Sequence, residues 1–297
     1  ILVGYLLLRF HILKKEHIKV LGLFLIKVAL PCLLLVNISA QDFSQLIQVP
    51  FLVSYSLVSL GVFSLALLIY LKKFNYPLNE AGVMGMGAAM SNTGFIGCGL
   101  LYLFLGERAA IYFGMAFLIE NFIIFFLFLI CLELSKKNTN LLEMLRSALV
   151  NILKNPIVIA LILGFSLSAM QIPLPEVLIK VFKPIGQISA PLGLLVIGGS
   201  LYGISIAAQK HLAQDVCIML SLKLILMPLL VYGIFQFFPS ASDEMIFAGT
   251  LLASVSMVGI FAIFAQQLNM QKAPPILLIT TLMSIFSLSI VIHYLKF

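Results

Sequence analysis

Tryptophan is absent from the 297 residues, so any belt of interfacial aromatics has to come from tyrosine and phenylalanine. Charge is scarce. Only 10% of the residues are charged, against roughly 25% in soluble domains, and 62% are hydrophobic. That balance excludes a water-soluble domain and points to a chain that crosses a membrane several times. No low-complexity stretch is present. Cys32, Cys98, Cys131 and Cys217 are scattered in apolar surroundings without a Cys-x-x-Cys pair. Buried free thiols are therefore expected, rather than disulfides or metal ligands. His11, His17, His211 and His293 fall at loops or segment ends and make no metal set. No Gly-x-x-x-x-Gly-Lys-Ser/Thr loop appears, so nucleotide hydrolysis is not indicated. An intramembrane enzyme would need an aspartate pair, a serine with its base or a metal cluster at depth, and none is visible. The net charge of +7 does not call for a nucleic-acid partner, because most basic residues stand in short loops where topology uses them.

What the sequence does contain is apolar runs. Charged interruptions divide it into ten, at about 1–9, 18–38, 49–71, 81–106, 109–133, 155–174, 184–207, 214–238, 245–268 and 273–295. About 20 residues suffice for one crossing, and every run but the first has that length. The opening run is too short, so the sequence is expected to begin inside its first membrane helix, not with a cleaved signal peptide. With the N-terminus outside, the inner loops hold Arg9, Lys14, Lys15, Lys19, Lys72, Lys73, Lys136, Lys137, Arg146, Lys154, Lys210 and Lys272. The outer side then holds Arg108, Lys180, Lys183 and Lys296. Twelve basic residues inside against four outside place both termini outside.

The longest connection, Leu134 to Lys154, is then cytoplasmic and parts the chain into two sets of five. An odd number of crossings turns the second set over relative to the first. The expected fold is all-α, with ten transmembrane helices in two inverted five-helix repeats. Residues 1–134 form the first repeat (helix one truncated at its start), 135–154 the connecting loop, and 155–297 the second repeat. Pro31 and Pro191 stand in the second and seventh runs, and both are expected, with Pro228, to kink their helices. Asn155-Pro156 reads as a helix start. The fourth and ninth runs carry matching small and polar stretches, Ser91-Asn92-Thr93-Gly94 and Ser254 through Gly259.

Asn92 is the foremost candidate for chemistry. Its amide offers donors and an acceptor at mid-membrane, and Gly94, Gly97 and Gly99 allow the helix to break nearby. Half-helix ends at such a break suit ions of either sign. The alternative is a polar side chain bonded between closely packed helices. Ser254 and Ser256 face the same choice, since serine in a membrane helix often bonds back to its own turn. Lys223 lies at membrane depth, where a lysine is costly and usually faces a cavity or a partner. Glu120, followed by Asn121, is the carboxylate at depth, and it is expected to pair with Lys223 or Lys27 or to carry a coupling proton. Lys27 lies four residues before Pro31, as Gln187 does before Pro191; its alternative is snorkelling to the inner surface.

With Ser91-Asn-Thr-Gly-Phe-Ile-Gly97, Lys223-Leu-Ile-Leu-Met-Pro228, Lys154-Asn-Pro156 and the stretch Ala253 to Gln267, the chain resembles the auxin efflux carrier family, in its bacterial malonate- and malate-permease-like branch. The resemblance implies broken crossover helices four and nine that meet at a central site. It also implies a scaffold of helices one, two, six and seven and a mobile domain carrying the crossover. The substrate is expected to be a small mono- or dicarboxylate held by Ser91, Asn92, Thr93, Gly94, Ser254, Ser256 and Lys223. Glu120, Asn121 and Lys27 stand as coupling or charge partners, and the coupling ion is a proton or sodium. No cofactor is expected. Besides substrate and lipid bilayer, a homodimer through the scaffold helices is an expected partner arrangement, in a bacterial inner membrane. The sequence departs from the family where proline is common near the breaks: Gly99 stands at one such place, and Ser254–Gly259 has none. A sodium-coupled symporter of larger organic anions, similar to the bile-acid symporters, and a channel or transport-derived sensor are the alternatives.

Overall fold

A chain in hydrocarbon has to satisfy its backbone internally, and long apolar runs do so as helices. The computed structural model describes residues 2–40, 47–135, 146, 149–150, 153–200, 202, 212–270 and 272–295, and among them it is helical throughout, with no strand. Most of the connection 135–154 and the end of the seventh run lie outside the described residues. The helices are α1 (Leu2–Arg9), α2 (Lys15–Phe24), α3 (Leu30–Ser39), α4 (Val49–Lys72), α5 (Leu78–Ala89), α6 (Cys98–Leu105), α7 (Ala109–Ile119) and α8 (Phe125–Leu134). They continue as α9 (Pro156–Ala169), α10 (Glu176–Gln187), α11 (Ser189–Ser200), α12 (Leu212–Leu220), α13 (Met227–Phe235), α14 (Asp243–Ser254), α15 (Ile260–Gln267) and α16 (Ala273–Leu295).

Among the described residues five helical stretches are long and apolar enough to cross a membrane: Lys15–Ser39, Val49–Lys72, Thr93–Leu134, Leu212–Phe235 and Ala273–Leu295. The third has 42 residues, about twice what one crossing needs. A 3-10 turn, Gly106–Arg108, divides it where Glu107 and Arg108 interrupt the apolar sequence. Gly106 has φ 57°, a left-handed conformation that glycine adopts without steric cost. The described residues thus form the all-helical fold of a membrane protein. α9 begins as the sequence predicts: Pro156 is its first residue, and the Asn155 side chain accepts from the Ile157 N–H at 2.9 Å. The seventh run differs. Its helix starts earlier, at Glu176, and is interrupted at Ile188 before α11, so Gln187 ends α10 on an exposed face.

The chain forms two compact units, and each draws on both halves of the sequence. The first comprises residues 1–48, 94–115 and 151–203, the second 49–93, 116–150 and 204–297. In the first, α3 packs on α9 and α10, while α11 packs on α1, α2 and α6. In the second, α5 packs on α4, α8 and α15, α13 on α4 and α14, and α16 on α12, α14 and α15. Small residues make α5 the hub of that unit. A Cβ at Gly82 would lie 2.8 Å from the Cβ of Cys131, at Gly85 3.2 Å from the Phe63 ring, and at Gly87 2.6 Å from the Phe261 ring. Three neighbours therefore approach the α5 backbone directly, as small residues allow between membrane helices.

Among the described residues four helical stretches carry a wide, π-helical turn: Leu25–Ala29, Thr93–Gly97, Glu120–Ile124 and Ser221–Leu226. Lys27, Glu120 and Lys223, the charged residues the sequence places at depth, each lie on one. Such turns are rare and frequent at functional sites. Two of them precede a proline, Pro31 and Pro228, where the ring would otherwise crowd the preceding turn. Pro228 has no N–H for the carbonyl of Leu224, and the Ser287 hydroxyl donates to that oxygen instead, at 2.9 Å.

Candidate functional site

Helix α5 stops at Ala89, just before Ser91, and Met90 is extended (φ −98°, ψ 133°). In the same unit α14 stops at Ser254, and Val255 is extended (φ −70°, ψ 151°). The two interruptions pair with each other. The Asn92 N–H donates to the Ser256 carbonyl at 2.8 Å, the Val258 N–H donates to the Met90 carbonyl at 3.2 Å, and Ser91 and Met257 form an antiparallel bridge between them. Each break therefore supplies the backbone partners that the other lost by leaving the helix. This explains how the second stretch opens without a proline. Val255 and Val258 are β-branched and favour extended backbone, and the partner is already there.

A buried polar network is built directly on the first break. Glu120 is 2% exposed and Lys223 0%. One oxygen of Glu120, Oε1, accepts from the Ser91 N–H at 3.0 Å, the Tyr55 hydroxyl at 3.0 Å and the Thr93 hydroxyl at 2.9 Å. The other, Oε2, lies 2.7 Å from the same Thr93 hydroxyl. Lys223 Nζ donates to Ser91 Oγ at 2.6 Å and to the sulfur of Met227 at 3.0 Å. Ser91 Oγ is 3.2 Å from the Tyr55 hydroxyl. Since the phenol proton goes to Glu120, the serine proton goes to the phenol oxygen. The result is one directed chain, from ammonium to serine to tyrosine to carboxylate, and each bond strengthens the next.

The sequence-derived candidates separate on this geometry. Ser91, Thr93, Glu120 and Lys223 come together in the network, and Asn92 and Ser256 meet through their backbones. The Ser256 hydroxyl is buried with no hydrogen-bond partner among the described residues. Asn92 is 8% exposed, and its amide makes no side-chain hydrogen bond there. Ser254 Oγ instead bonds back to the Thr250 carbonyl at 2.7 Å, and the Asn121 amide to the Phe117 carbonyl at 2.8 Å, so both serve their own helices. Gly94 and Lys27 belong to the first unit, where Lys27 is exposed on its turn. The expected pairing of Glu120 is thus with Lys223, through Ser91.

Two features escape a reading of the sequence. Tyr55 is one; its only signal is a phenol in the middle of an apolar run, amid Ser54, Ser56 and Ser59. The other is a second polar cluster. Glu120 is not alone among buried carboxylates, since Glu133 and Asp215 are buried as well. Asp215, 1% exposed at the start of α12, accepts from Lys272 at 2.9 Å and from the Tyr76 hydroxyl at 3.3 Å. Lys272 also donates to Tyr76, at 3.2 Å. Burial pulls the Lys272 ammonium down, but its hydrogen bonds and the Asp215 charge outweigh that and hold it above the ordinary lysine range. Asp215 is the second residue of its apolar run and Lys272 stands just before the last run, so by position both read as residues of a membrane edge.

The sequence matches the family described as membrane transport protein over residues 1–292. It is also 24% identical, over 301 aligned residues, to a protein of Rhizobium meliloti (strain 1021) named "Putative malonate transporter"; the alignment covers 100% of this chain and 92% of that protein. A family match that runs almost end to end takes in both breaks and every residue of the buried network. It sets the chain among transporters rather than enzymes. By that match the chain belongs to the membrane transport protein family, that of the auxin efflux carriers.

Proposed function

We propose that the chain is a secondary transporter that moves a small organic anion across the membrane by alternating access, with the substrate seated where the two extended stretches pair. One observation carries this reading: among the described residues the paired breaks leave the buried Ser256 hydroxyl without a hydrogen-bond partner, beside the nearly buried Asn92. Interrupted helices with free polar groups at mid-membrane are the usual form of a transporter site. The name of the Rhizobium meliloti relative supports a carboxylate as cargo. Asn92 and Ser256 are the groups proposed to touch it. Ser91, Thr93, Tyr55, Glu120 and Lys223 hold the first break in shape, and Glu120 with Lys223 forms the charge pair available for proton coupling. Sodium coupling gains no support from the second break, which has no acidic residue between Ser254 and Gly259.

The proposal includes ten crossings in two inverted repeats, residues 1–134 and 155–297, with both termini outside a bacterial inner membrane. Packing supports it. In the first unit α3 lies on α9 while α11 lies on α1, the exchange of partners that an inverted repeat produces. In the second unit α4 packs on α5 much as α13 packs on α14, and α5 on α8 as α14 on α16. Nothing in the packing or the comparisons favours a homodimer, and the proposal concerns a single chain. The test is counterflow of labelled malonate in proteoliposomes. Wild-type protein is expected to show saturable exchange and Asn92→Ala none, at equal incorporation. Undiminished exchange by Asn92→Ala removes the site, and ohmic current without saturation removes the carrier mechanism.

A further inference from the structure

From the charges around the two breaks we infer that the species carried bears a single negative charge: a monocarboxylate, or a dicarboxylic acid that keeps one of its two protons. The inference rests on the anion-transport reading above and specifies its cargo. Taken alone, the sequence places two lysines and one glutamate at depth, an excess of positive charge. The fold pairs off one of the two lysines: Lys223 is joined to Glu120 through Ser91 and Tyr55, while Lys27 is exposed on its own turn with no hydrogen bond to this network among the described residues.

The pair beside the break is internally compensated. Three separate donors, from Tyr55, Ser91 and Thr93, aim at the Glu120 oxygens, an arrangement that fits an ionised carboxylate, which only accepts. Lys223 aims its ammonium at Ser91 and Met227. The titratable groups set against Glu120 are thus Tyr55 from α4 and Lys223 from the turn before α13. Among the described residues the other buried charges are remote along their helices. Glu133 is 13 residues past Glu120, about 20 Å at 1.5 Å per residue, and Asp215 has its own partner in Lys272.

What remains for a substrate is uncharged. The Asn92 amide and the buried Ser256 hydroxyl, which has no partner among the described residues, are the side-chain groups. Helical backbone resumes after each break, at Thr93 and at Ile260. A helix start is equivalent to about half a positive charge, so two of them offset about one negative charge. A dianion would leave its second charge buried without a partner, which proteins avoid. A monoanion would not.

The test compares malonate with malonamate, in which an amide replaces one carboxylate. Purified wild-type protein is titrated with each between pH 5 and pH 8 and binding is read by calorimetry. Malonamate stays a monoanion across this range, so its affinity reports any change in the protein itself. The expected result is a level malonamate affinity and a malonate affinity that falls about tenfold per pH unit once the second proton is lost. Lys27→Met should leave both profiles unaltered. Glu120→Gln adds one net positive charge and should level the malonate profile; if this variant does not fold, the two wild-type profiles decide. A malonate affinity that holds or rises with pH while malonamate binds overturns the inference and leaves the anion reading intact, and so does a Lys27→Met profile that loses malonate selectively. Binding of neither compound at any pH overturns the anion reading itself, and this inference with it.

Discussion

Ser91 joins everything at the first break. Its N–H donates to Glu120, its hydroxyl accepts a hydrogen bond from Lys223 and donates one to Tyr55, and its backbone lies across from Met257. A buried ion pair joined in this way is costly to halve. Glu120→Gln or Lys223→Met alone is expected to destabilise the protein by about 3–5 kcal/mol, because the remaining charge stays buried without its counter-ion. The double variant should recover a good part of that loss. Unfolding of the purified variants in detergent measures all three, and additive losses would show that the two charges do not interact. The Asp215 cluster gives a prediction of opposite asymmetry. Lys272 is 29% exposed and can turn to water, whereas Asp215 is 1% exposed and cannot. Lys272→Met should therefore lower the unfolding temperature more than Asp215→Asn does. The reverse order would mean that the aspartate has a partner stronger than Lys272.

At the level of elements, the wide turns and the breaks answer one requirement: in lipid, a backbone group that leaves its helix needs another partner. For the two breaks that partner is the other break. For the turn before Pro228 it is Ser287, which lies 63 residues away from Leu224 in the chain. Ser287→Ala is expected to cost about 1 kcal/mol, and much less when Pro228→Ala restores the missing N–H. A thermal-melt cycle over the four proteins checks this, and equal losses in both backgrounds would contradict it. Helix α5 gives the packing counterpart. Gly87→Val is expected to cost about 1–3 kcal/mol, since its side chain meets the fully buried Phe261 ring. Gly61→Ala on α4 has nothing within 4 Å and should be neutral or slightly stabilising. Stability of both variants relative to wild type decides the comparison.

For the molecule as a whole, hydropathy alone identifies a helical membrane protein, and most apolar runs reappear as helices within a few residues of their expected bounds. The early start at Glu176 lies outside the seventh apolar run because Lys180 and Lys183 interrupt the hydropathy there, although the helix itself continues through them. The place of the first break was legible too, since Ser, Asn, Thr and Gly disfavour continuous helix whatever surrounds them. The second was less so, lacking proline. Its interruption depends on pairing with residues more than 160 positions earlier. The same limit hides the partners of each buried charge. Glu120 was expected to pair with Lys223 or Lys27, and local spacing does not distinguish the two. Lys223 and Ser91 are 132 residues apart, Tyr55 and Glu120 65. Membrane class, helix positions and the weak point at Asn92 follow from local composition, because solvation and backbone propensity act within a few residues. The compensation of Lys223 by Glu120, the role of Tyr55 and the mutual repair of the two breaks exist only once distant segments pack, because hydrogen bonds and ion pairs depend on distances in space.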